Sequence, residues 1–382
     1  MDTTSFSKAS SIEEVDTERY GKGTTSRKRP KWSRDNDNEA TTLKDSEDAL
    51  AVTNKYRHVV LRRLDDANIS CPSVSPIYAT KFDRTGRLLL TAGLDGHARI
   101  FVQESNSDSY ENARTLHVEE LPIRRADFYG NDNRKVLLAG KRDLYVVDVD
   151  SSIAEKIVLG AENNWRAASF VVSKTVGSSS LACVLGEQGR VGLFALKSRS
   201  KVATLKVSGQ VTAGVFGPGI QDFTTLNSDG SVHVWDLRTN RCKLRLQNND
   251  LSAATAIALC PSGRSLAVGT SSGTIGLFSD WHARRVNTIA TPVKLVNSLI
   301  TAIDGLHFNH DGNLLLASSS SSKDAVRIVD TITNFTLPNW PTKNTPLNKV
   351  FSSDFHPCST HLAIGNARGR VLLYNLSSLN GR

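Results

Sequence analysis

The sequence predicts an all-β fold, a seven-bladed β-propeller behind a disordered N-terminal tail. Short apolar or alternating runs bounded by turn residues recur along the chain, and a three-strand unit can be read seven times. One four-stranded propeller blade takes about 40–45 residues, and the second turns of the units are spaced close to that length. These turns fall at Gly96, Arg142, Gly189, Gly230, Gly273, Asp324 and Gly369.

The first 54 residues are predicted to form a disordered tail, because they hold few large apolar side chains and show no sustained periodicity. A compact basic cluster lies within them, formed by Arg27, Lys28, Arg29 and Lys31. Dense positive charge on an accessible chain is what a nuclear-import signal needs, and a solvated run of charges is the alternative interpretation.

Residues 55–382 are predicted to form the propeller, which begins with a strand over residues 55–64 that belongs to no complete repeat. The seven units follow in order, with the second and third the weakest. They cover residues 77–102, 123–149, 167–196, 210–237, 255–278, 305–329 and 352–374. The last unit lacks an outer strand, so we expect the N-terminal strand to supply it and to close the ring.

The charge balance favours a polyanionic partner. The formal net charge is +9, and residues 1–54 contain nine Lys or Arg against eleven Asp or Glu, so the positive excess lies in the predicted propeller. RNA is the foremost polyanion that such a domain attracts. The sequence has no run of about 18 apolar residues, so no segment is expected to span a membrane and no membrane partner is predicted.

The five cysteines are scattered without a C-x-x-C pair, which favours buried reduced thiols over a zinc site or a disulfide framework. They are Cys71, Cys183, Cys242, Cys260 and Cys358.

One repeat carries a recognisable signature, the string V-W-D-L-R at positions 234–238 preceded by Asp229 and Gly230. In these residues the chain resembles the WD-repeat family over about residues 55–377. The resemblance implies architectural roles, with Trp235 packed between strands and a buried Asp236 that needs hydrogen-bond partners. Only this unit keeps the Trp-Asp pair, and no unit opens with Gly-His, so the hydrogen-bond network of the family should be incomplete.

Further segments are not generic repeat residues. They are residues 91–101, 121–128, 338–347 and 362–374. They resemble a narrower family of nucleolar WD-repeat proteins associated with the U-three small nucleolar RNA, within the UTP-B subcomplex of the small-subunit processome. The resemblance implies a non-catalytic scaffold in 18S ribosomal RNA maturation in the nucleolus. Its implied partners are other UTP-B proteins, together with the U-three snoRNP and pre-rRNA, directly or indirectly.

Three residues are candidates for contact with a partner or RNA. Arg124 and Arg125 open an inner strand, where neighbouring side chains point to opposite faces, so one of them should lie near a loop rim. Hydrogen bonding between blades is the alternative. Trp340 lies in a Pro-rich stretch that forms either an exposed binding loop or part of the sixth blade with the indole packed inward.

No catalytic site, metal site, cofactor or small-molecule substrate is predicted. Residues 269–273 match G-x-S-x-G, but they connect two predicted strands, whereas a nucleophile elbow needs a strand followed by a helix. An alternative function is a WD-repeat substrate receptor of a cullin-type ubiquitin ligase, because residues 235–238 match the WD-x-R pattern of such receptors. A peptide-binding propeller in signalling or trafficking is a third interpretation.

Overall fold

A computed structural model describes residues 59–104, 109–130, 134–160, 165–173, 181–219, 221–248, 250–281, 291–342 and 345–378. Within these ranges the chain forms 28 β-strands in seven four-stranded antiparallel sheets, with no α-helix. The predicted tail, its basic cluster and the first residues of the predicted closing strand lie outside the described residues.

Each sheet takes four strands of the chain, and we number the blades in chain order. The N-terminal strand β1 is Val59–Arg63. Blade 1 holds β2 Ile77–Phe82, β3 Leu88–Gly93, β4 His97–Gln103 and β5 Tyr110–His117. Blade 2 holds β6 Arg125–Tyr129, β7 Lys135–Ala139, β8 Leu144–Asp148 and β9 Ala154–Ile157. Blade 3 holds β10 Arg166–Val172, β11 Leu181–Leu185, β12 Arg190–Ala195 and β13 Ser200–Lys206. Blade 4 holds β14 Val211–Phe216, β15 Asp222–Asn227, β16 Val232–Asp236 and β17 Arg241–Leu246.

The remaining three blades follow the same plan. Blade 5 holds β18 Ala254–Leu259, β19 Leu266–Thr270, β20 Thr274–Phe278 and β21 Lys294–Asn297. Blade 6 holds β22 Gly305–Phe308, β23 Leu314–Ser318, β24 Val326–Asp330 and β25 Phe335–Thr336. Blade 7 holds β26 Val350–Phe355, β27 His361–Asn366 and β28 Val371–Ser378, with β1 as its outer strand.

The first strand of each blade contacts the next blade, and blade 7 contacts blade 1, so the sheets form one closed ring. The seven-bladed propeller that the repeats predicted is confirmed. The buried apolar side chains divide into seven clusters, each of which joins two neighbouring blades. Between blades 7 and 1, for example, Phe101 and Leu373 are fully buried in one cluster. Because burial of one such side chain is worth about 1.5–3 kcal/mol, these interfaces hold the ring together.

The turns between second and third strands show why glycine marks the repeats. Gly230 has a φ of +82°, and a Cβ on it would lie 2.4 Å from the backbone oxygen of Leu251, so only glycine fits the position. Two repeats depart from this pattern. Asp324 takes a positive φ of 56° without being glycine. Arg142 is not among the positive-φ residues, and its turn is one residue shorter: the Gly140 amide donates to Asp143 O at 2.9 Å, whereas in blade 4 the Asn227 amide donates to Ser231 O.

Strand β1 pairs antiparallel with β28 over its whole length, with Val60 opposite Ser377. The chain beyond β1 continues along β28, since the amides of Leu64 and Ala67 each donate a 2.9 Å hydrogen bond to it. The side chain of Asn68 then donates to Gly369 O at 2.7 Å and accepts from the Val371 amide at 2.9 Å. The two ends of the described chain therefore meet in one blade.

The cysteine prediction is wrong in part. All five thiols are free, and Cys183 and Cys260 are buried as expected, but Cys242 and Cys358 are exposed and Cys71 is half-buried. Cys242 lies on β17, an outer strand with one face towards solvent, and Cys358 lies in a turn between strands. Burial raises the pKa of the Cys183 thiol well above its ordinary value.

Candidate partner-binding surface at the channel mouth

Every blade begins with the same local arrangement at one end of the central channel. A buried apolar residue lies at or just before the start of each inner strand, and the residue that follows it is half-buried or exposed. In blades 1, 4, 5 and 7 a shift in strand pairing marks a β-bulge at this residue, and bulges re-aim side chains. We call the seven residues the channel mouth: Tyr78, Arg124, Arg166, Thr212, Thr255, Asp304 and Phe351.

One half of the channel mouth is aromatic and basic. The rings of Tyr78 and Phe351, from blades 1 and 7, stack at a centroid distance of 4.6 Å and an angle of 21°. The guanidinium of Arg124 lies 5.9 Å from the centroid of the Tyr78 ring. Both rings are half-buried and Arg124 is exposed. Arg166 completes this half in blade 3, and its Nη2 donates to Val211 O of blade 4 at 2.6 Å.

The other half carries hydroxyls and one carboxylate. The Thr212 hydroxyl donates to Leu226 O at 3.2 Å, and the Thr255 hydroxyl donates across to Ile303 O of the sixth repeat at 2.7 Å. Asp304 is exposed and accepts a 2.9 Å hydrogen bond from the Ser320 amide. The mouth is thus polarised, with aromatic rings and guanidinium groups on blades 7, 1, 2 and 3 and threonines and a carboxylate on blades 4, 5 and 6.

The two neighbouring arginines turn to opposite sides, as strand alternation requires. Arg124 faces Tyr78 of blade 1, whereas the Arg125 guanidinium lies 5.6 Å from the centroid of the Phe170 ring in blade 3. Burial lowers the pKa of Arg125, and the charge of Asp127 partly opposes this shift. Arg125 therefore packs between blades, and Arg124 is the one at the rim.

The structure places Trp340 in the core rather than on an exposed loop. Its side chain is only 5% exposed and meets the Tyr374 ring edge to face at a centroid distance of 5.5 Å. The side-chain amide of the neighbouring Asn339 donates to Val59 O at 2.8 Å and so ties this segment to β1. Trp340 therefore packs between blades 6 and 7. Of the two predicted alternatives, the structure has the inward-packed indole and not the exposed binding loop.

The signature residues of blade 4 also serve packing and turn formation. The Trp235 indole is 8% exposed, and its Nε1–H donates to the Thr225 hydroxyl at 3.1 Å. Asp229 accepts from the amide of Ser231 at 2.9 Å and from its hydroxyl at 2.7 Å in the turn that Gly230 completes. Asp236 is half-buried, not buried as the resemblance implied. It accepts from the Arg238 amide at 2.9 Å, and this hydrogen bond holds the pKa of Asp236 below its ordinary value.

The described residues contain no group of three or more His, Cys, Asp or Glu side chains that could hold a metal ion. The G-x-S-x-G string spans the turn between β19 and β20, where Ser271 is exposed in a hairpin. No helix in the described ranges is long and apolar enough to cross a membrane.

Sequence reasoning singled out Arg124 but missed Tyr78, Phe351 and Arg166. The signal was present in the repeats, because each of these residues directly follows the apolar residue that enters an inner strand. Superposing the seven units on that apolar position would have shown two aromatic and two basic residues at consecutive blades.

Comparisons with known proteins agree with the narrower resemblance. No family model matches the chain. The chain is 30% identical over 316 residues to the U3 small nucleolar RNA-associated protein 18 homolog of Arabidopsis thaliana, covering 82% of this chain and 56% of that protein. It is 30% identical over 359 residues to U3 small nucleolar RNA-associated protein 18 of Saccharomyces cerevisiae, covering 82% and 60%. The Homo sapiens homolog is 26% identical over 320 residues, covering 83% and 56%.

The resemblance predicted from the sequence is confirmed: the chain is similar to proteins of this name from a plant, a yeast and an animal. It spans a little over half the length of these relatives.

Proposed function

We propose that this chain is a non-catalytic scaffold subunit of the small-subunit processome that supports pre-rRNA processing and 18S rRNA maturation. The observation that carries the proposal is the similarity, over more than four-fifths of the chain, to relatives named for association with the U3 small nucleolar RNA. Its partners would be other UTP-B proteins, with the U3 snoRNP and pre-rRNA bound directly or indirectly.

The architecture supports a scaffold role. Seven sheets joined by seven apolar clusters make a stiff ring, and the loops at its two ends are held at fixed positions by the strands that they connect. A ring of this kind can bind several partners at once without moving its core. The polarised channel mouth offers chemically distinct surfaces on its two halves.

The proposal is tested by purification of the tagged full-length chain from nuclear extract, with its bound proteins identified by mass spectrometry and its bound RNA by sequencing. We expect U3 small nucleolar RNA, precursors of 18S rRNA and further WD-repeat proteins to be enriched over a tag-only control. A nuclease-treated half of the sample separates partners held through RNA from those held by protein contacts. Recovery of a cullin adaptor without U3 RNA would favour the ubiquitin-ligase alternative, which residues 235–238 suggested.

Nuclear import through the basic cluster stays a prediction, because Arg27, Lys28, Arg29 and Lys31 lie outside the described residues. Replacing Lys28, Arg29 and Lys31 with Ala removes three of its four charges. We expect a fluorescent fusion of this variant to lose nuclear accumulation, because import signals depend on dense positive charge. As a control, Lys8, Arg19 and Lys22, dispersed cations of the same tail, are changed to Ala. Unaltered accumulation of the first variant would refute the import signal.

A further inference from the structure

We propose that the aromatic and basic half of the channel mouth, formed by Phe351, Tyr78, Arg124 and Arg166, binds a single-stranded segment of RNA. The inference deepens the proposed function, on which it rests for the identity of the polyanion. It assigns the RNA contact to one sector of one end of the ring, over blades 7, 1, 2 and 3.

The first argument is the stack of flat groups. The ring centroids of Phe351 and Tyr78 are 4.6 Å apart and the ring planes make an angle of 21°. The Arg124 guanidinium lies 5.9 Å from the centroid of the Tyr78 ring. Rings and guanidinium groups offer flat faces to which a free nucleobase can add, at about 1–3 kcal/mol per stacked base. The bases of a duplex are already stacked on each other, so this geometry favours a single strand.

The second argument is the charge around the stack. In an antiparallel sheet the start of the first strand and the turn between the second and third strands lie at the same end. The turns between the second and third strands of blades 2 and 7 therefore flank the channel mouth. Lys349, the residue just before Val350, lies at the same end. Four exposed cations lie there without an ion pair among the described residues: Lys141, Arg142, Lys349 and Arg368.

Acidic residues at the same end only partly offset these cations. Asp66 and Asp143 are engaged by Arg63 and Lys156, and Asp95 is held by Arg99 at 2.9 Å. Other exposed carboxylates at this end are those of Asp65, Glu119, Glu120 and Glu187. With Arg124 and Arg166 the basic groups outnumber them, so phosphates are attracted to this sector.

The third argument is the contrast with the opposite half. There the mouth carries Thr212, Thr255 and Asp304, with neither a ring nor a cation. The exposed Asp304 carboxylate would repel a phosphate, so the polarity of the ring opening directs the strand to one side.

The test is fluorescence anisotropy of the purified full-length chain with a labelled, unstructured 12-nucleotide RNA over a range of salt concentrations. We expect Arg124→Gln to weaken binding about tenfold and to lower the slope of log affinity against log salt by about 0.7, the change for one phosphate contact on a single strand. Tyr78→Leu, which removes the stacking ring, should weaken binding by a similar factor, whereas Tyr78→Phe should retain it.

The matched control is Arg84→Gln. Arg84 is an exposed arginine of blade 1, but it lies in the turn between β2 and β3, at the opposite end of the ring from Tyr78. Arg84→Gln removes the same single charge as Arg124→Gln, but from the neighbouring blade and the opposite end of the ring. The affinity of this control should therefore stay within about twofold of the parent chain if binding is local rather than due to net charge. Thermal melting of each variant verifies that the fold is retained, and Arg124→Gln provides the test if Tyr78→Leu unfolds.

Two results would overturn the proposal. One is an equal loss of affinity in Arg84→Gln and Arg124→Gln, which would mean binding by net charge alone. The other is equally tight binding of a 12-base-pair RNA duplex, or of an acidic peptide in place of RNA, because neither needs an open stack. Recovery of U3 RNA by the tagged parent chain is scored separately, so failure at the mouth and failure of the processome assignment give different results.

Discussion

Gly160 and Gly230 have the same backbone φ of +82° but different surroundings. A Cβ on Gly160 would meet no atom within 4 Å, whereas a Cβ on Gly230 would lie 2.4 Å from Leu251 O. An alanine in the left-handed region costs about 1–2 kcal/mol at either site, and the steric clash adds about 1–3 kcal/mol at Gly230.

We therefore expect Gly230→Ala to lower the melting temperature clearly more than Gly160→Ala, with both variants measured by circular dichroism in one buffer. Equal losses would show that the turn of blade 4 is not packed against the following loop as the structure has it.

The single residue His356 is expected to make the stability of the fold depend on pH. Its Nδ1 accepts from the Cys358 amide at 3.1 Å and its Nε2 lies 3.2 Å from Gly86 O, so the neutral ring satisfies both contacts. Burial lowers the pKa of His356, and the nearby His361 adds to the shift. Burial also lowers the pKa of His233, with Arg245 acting in the same direction.

A histidine whose pKa is lowered by folding binds its proton more readily in the unfolded chain. Stability from such a group is therefore complete above the ordinary pKa of 6.5 and is lost as the pH falls below it. We expect the melting temperature to fall between pH 7 and pH 5, and His356→Gln to reduce that fall. A variant with the full pH dependence of the parent would contradict this assignment to His356.

At the scale of the element, β1 is the strand that completes blade 7. Val59 is 3% exposed in the cluster between blades 6 and 7, and Leu61 packs against the same cluster. Burial of two such side chains and the backbone hydrogen bonds to β28 sum to about 5 kcal/mol or more.

Deleting residues 1–65 should therefore lower the melting temperature by about 10 °C and cause aggregation, because the edge of β28 becomes exposed. Deleting residues 1–54 keeps β1 and serves as the control, with a melting temperature close to that of the full chain. If both truncations melt and remain soluble alike, β1 does not hold the ring closed.

The blades could be predicted from the sequence because their turns are local. The positive φ of Gly96, Gly189 and Gly273 favours glycine, and these glycines recur along the chain at blade intervals. The sequence signal of blade 2 was weaker because its turn has Arg142 where most blades have glycine. The candidate site was harder to predict from the sequence, since Tyr78 and Phe351 are 273 positions apart and meet only when the ring closes. The burial of Trp340 likewise depends on Tyr374 and on β1, which pack against it from outside its own repeat.

For the whole molecule, closure of the ring by its two ends is the claim on which the other conclusions depend. Closure brings blade 7 next to blade 1, and only that contact stacks Phe351 on Tyr78 and makes the mouth asymmetric. An open or differently ordered set of sheets would have neither the stack nor the basic sector beside it. The scaffold role likewise needs a ring rigid enough to present its loops at fixed positions.

An engineered disulfide between β1 and β28 tests closure most directly. Val60 and Ser377 are opposite each other and exposed, so Val60→Cys with Ser377→Cys should oxidise to one intramolecular cross-link. The exposed Cys242 and Cys358 are first changed to Ser. Val60→Cys with Asn375→Cys is the control, since Asn375 is two residues out of register on β28.

The readout is mass spectrometry of the linked peptides after oxidation of dilute protein. We predict a dominant intramolecular link for the Val60 and Ser377 pair and little for the control. Equal linking of both pairs, or links formed only between molecules, would contradict a ring closed by its own N-terminal strand.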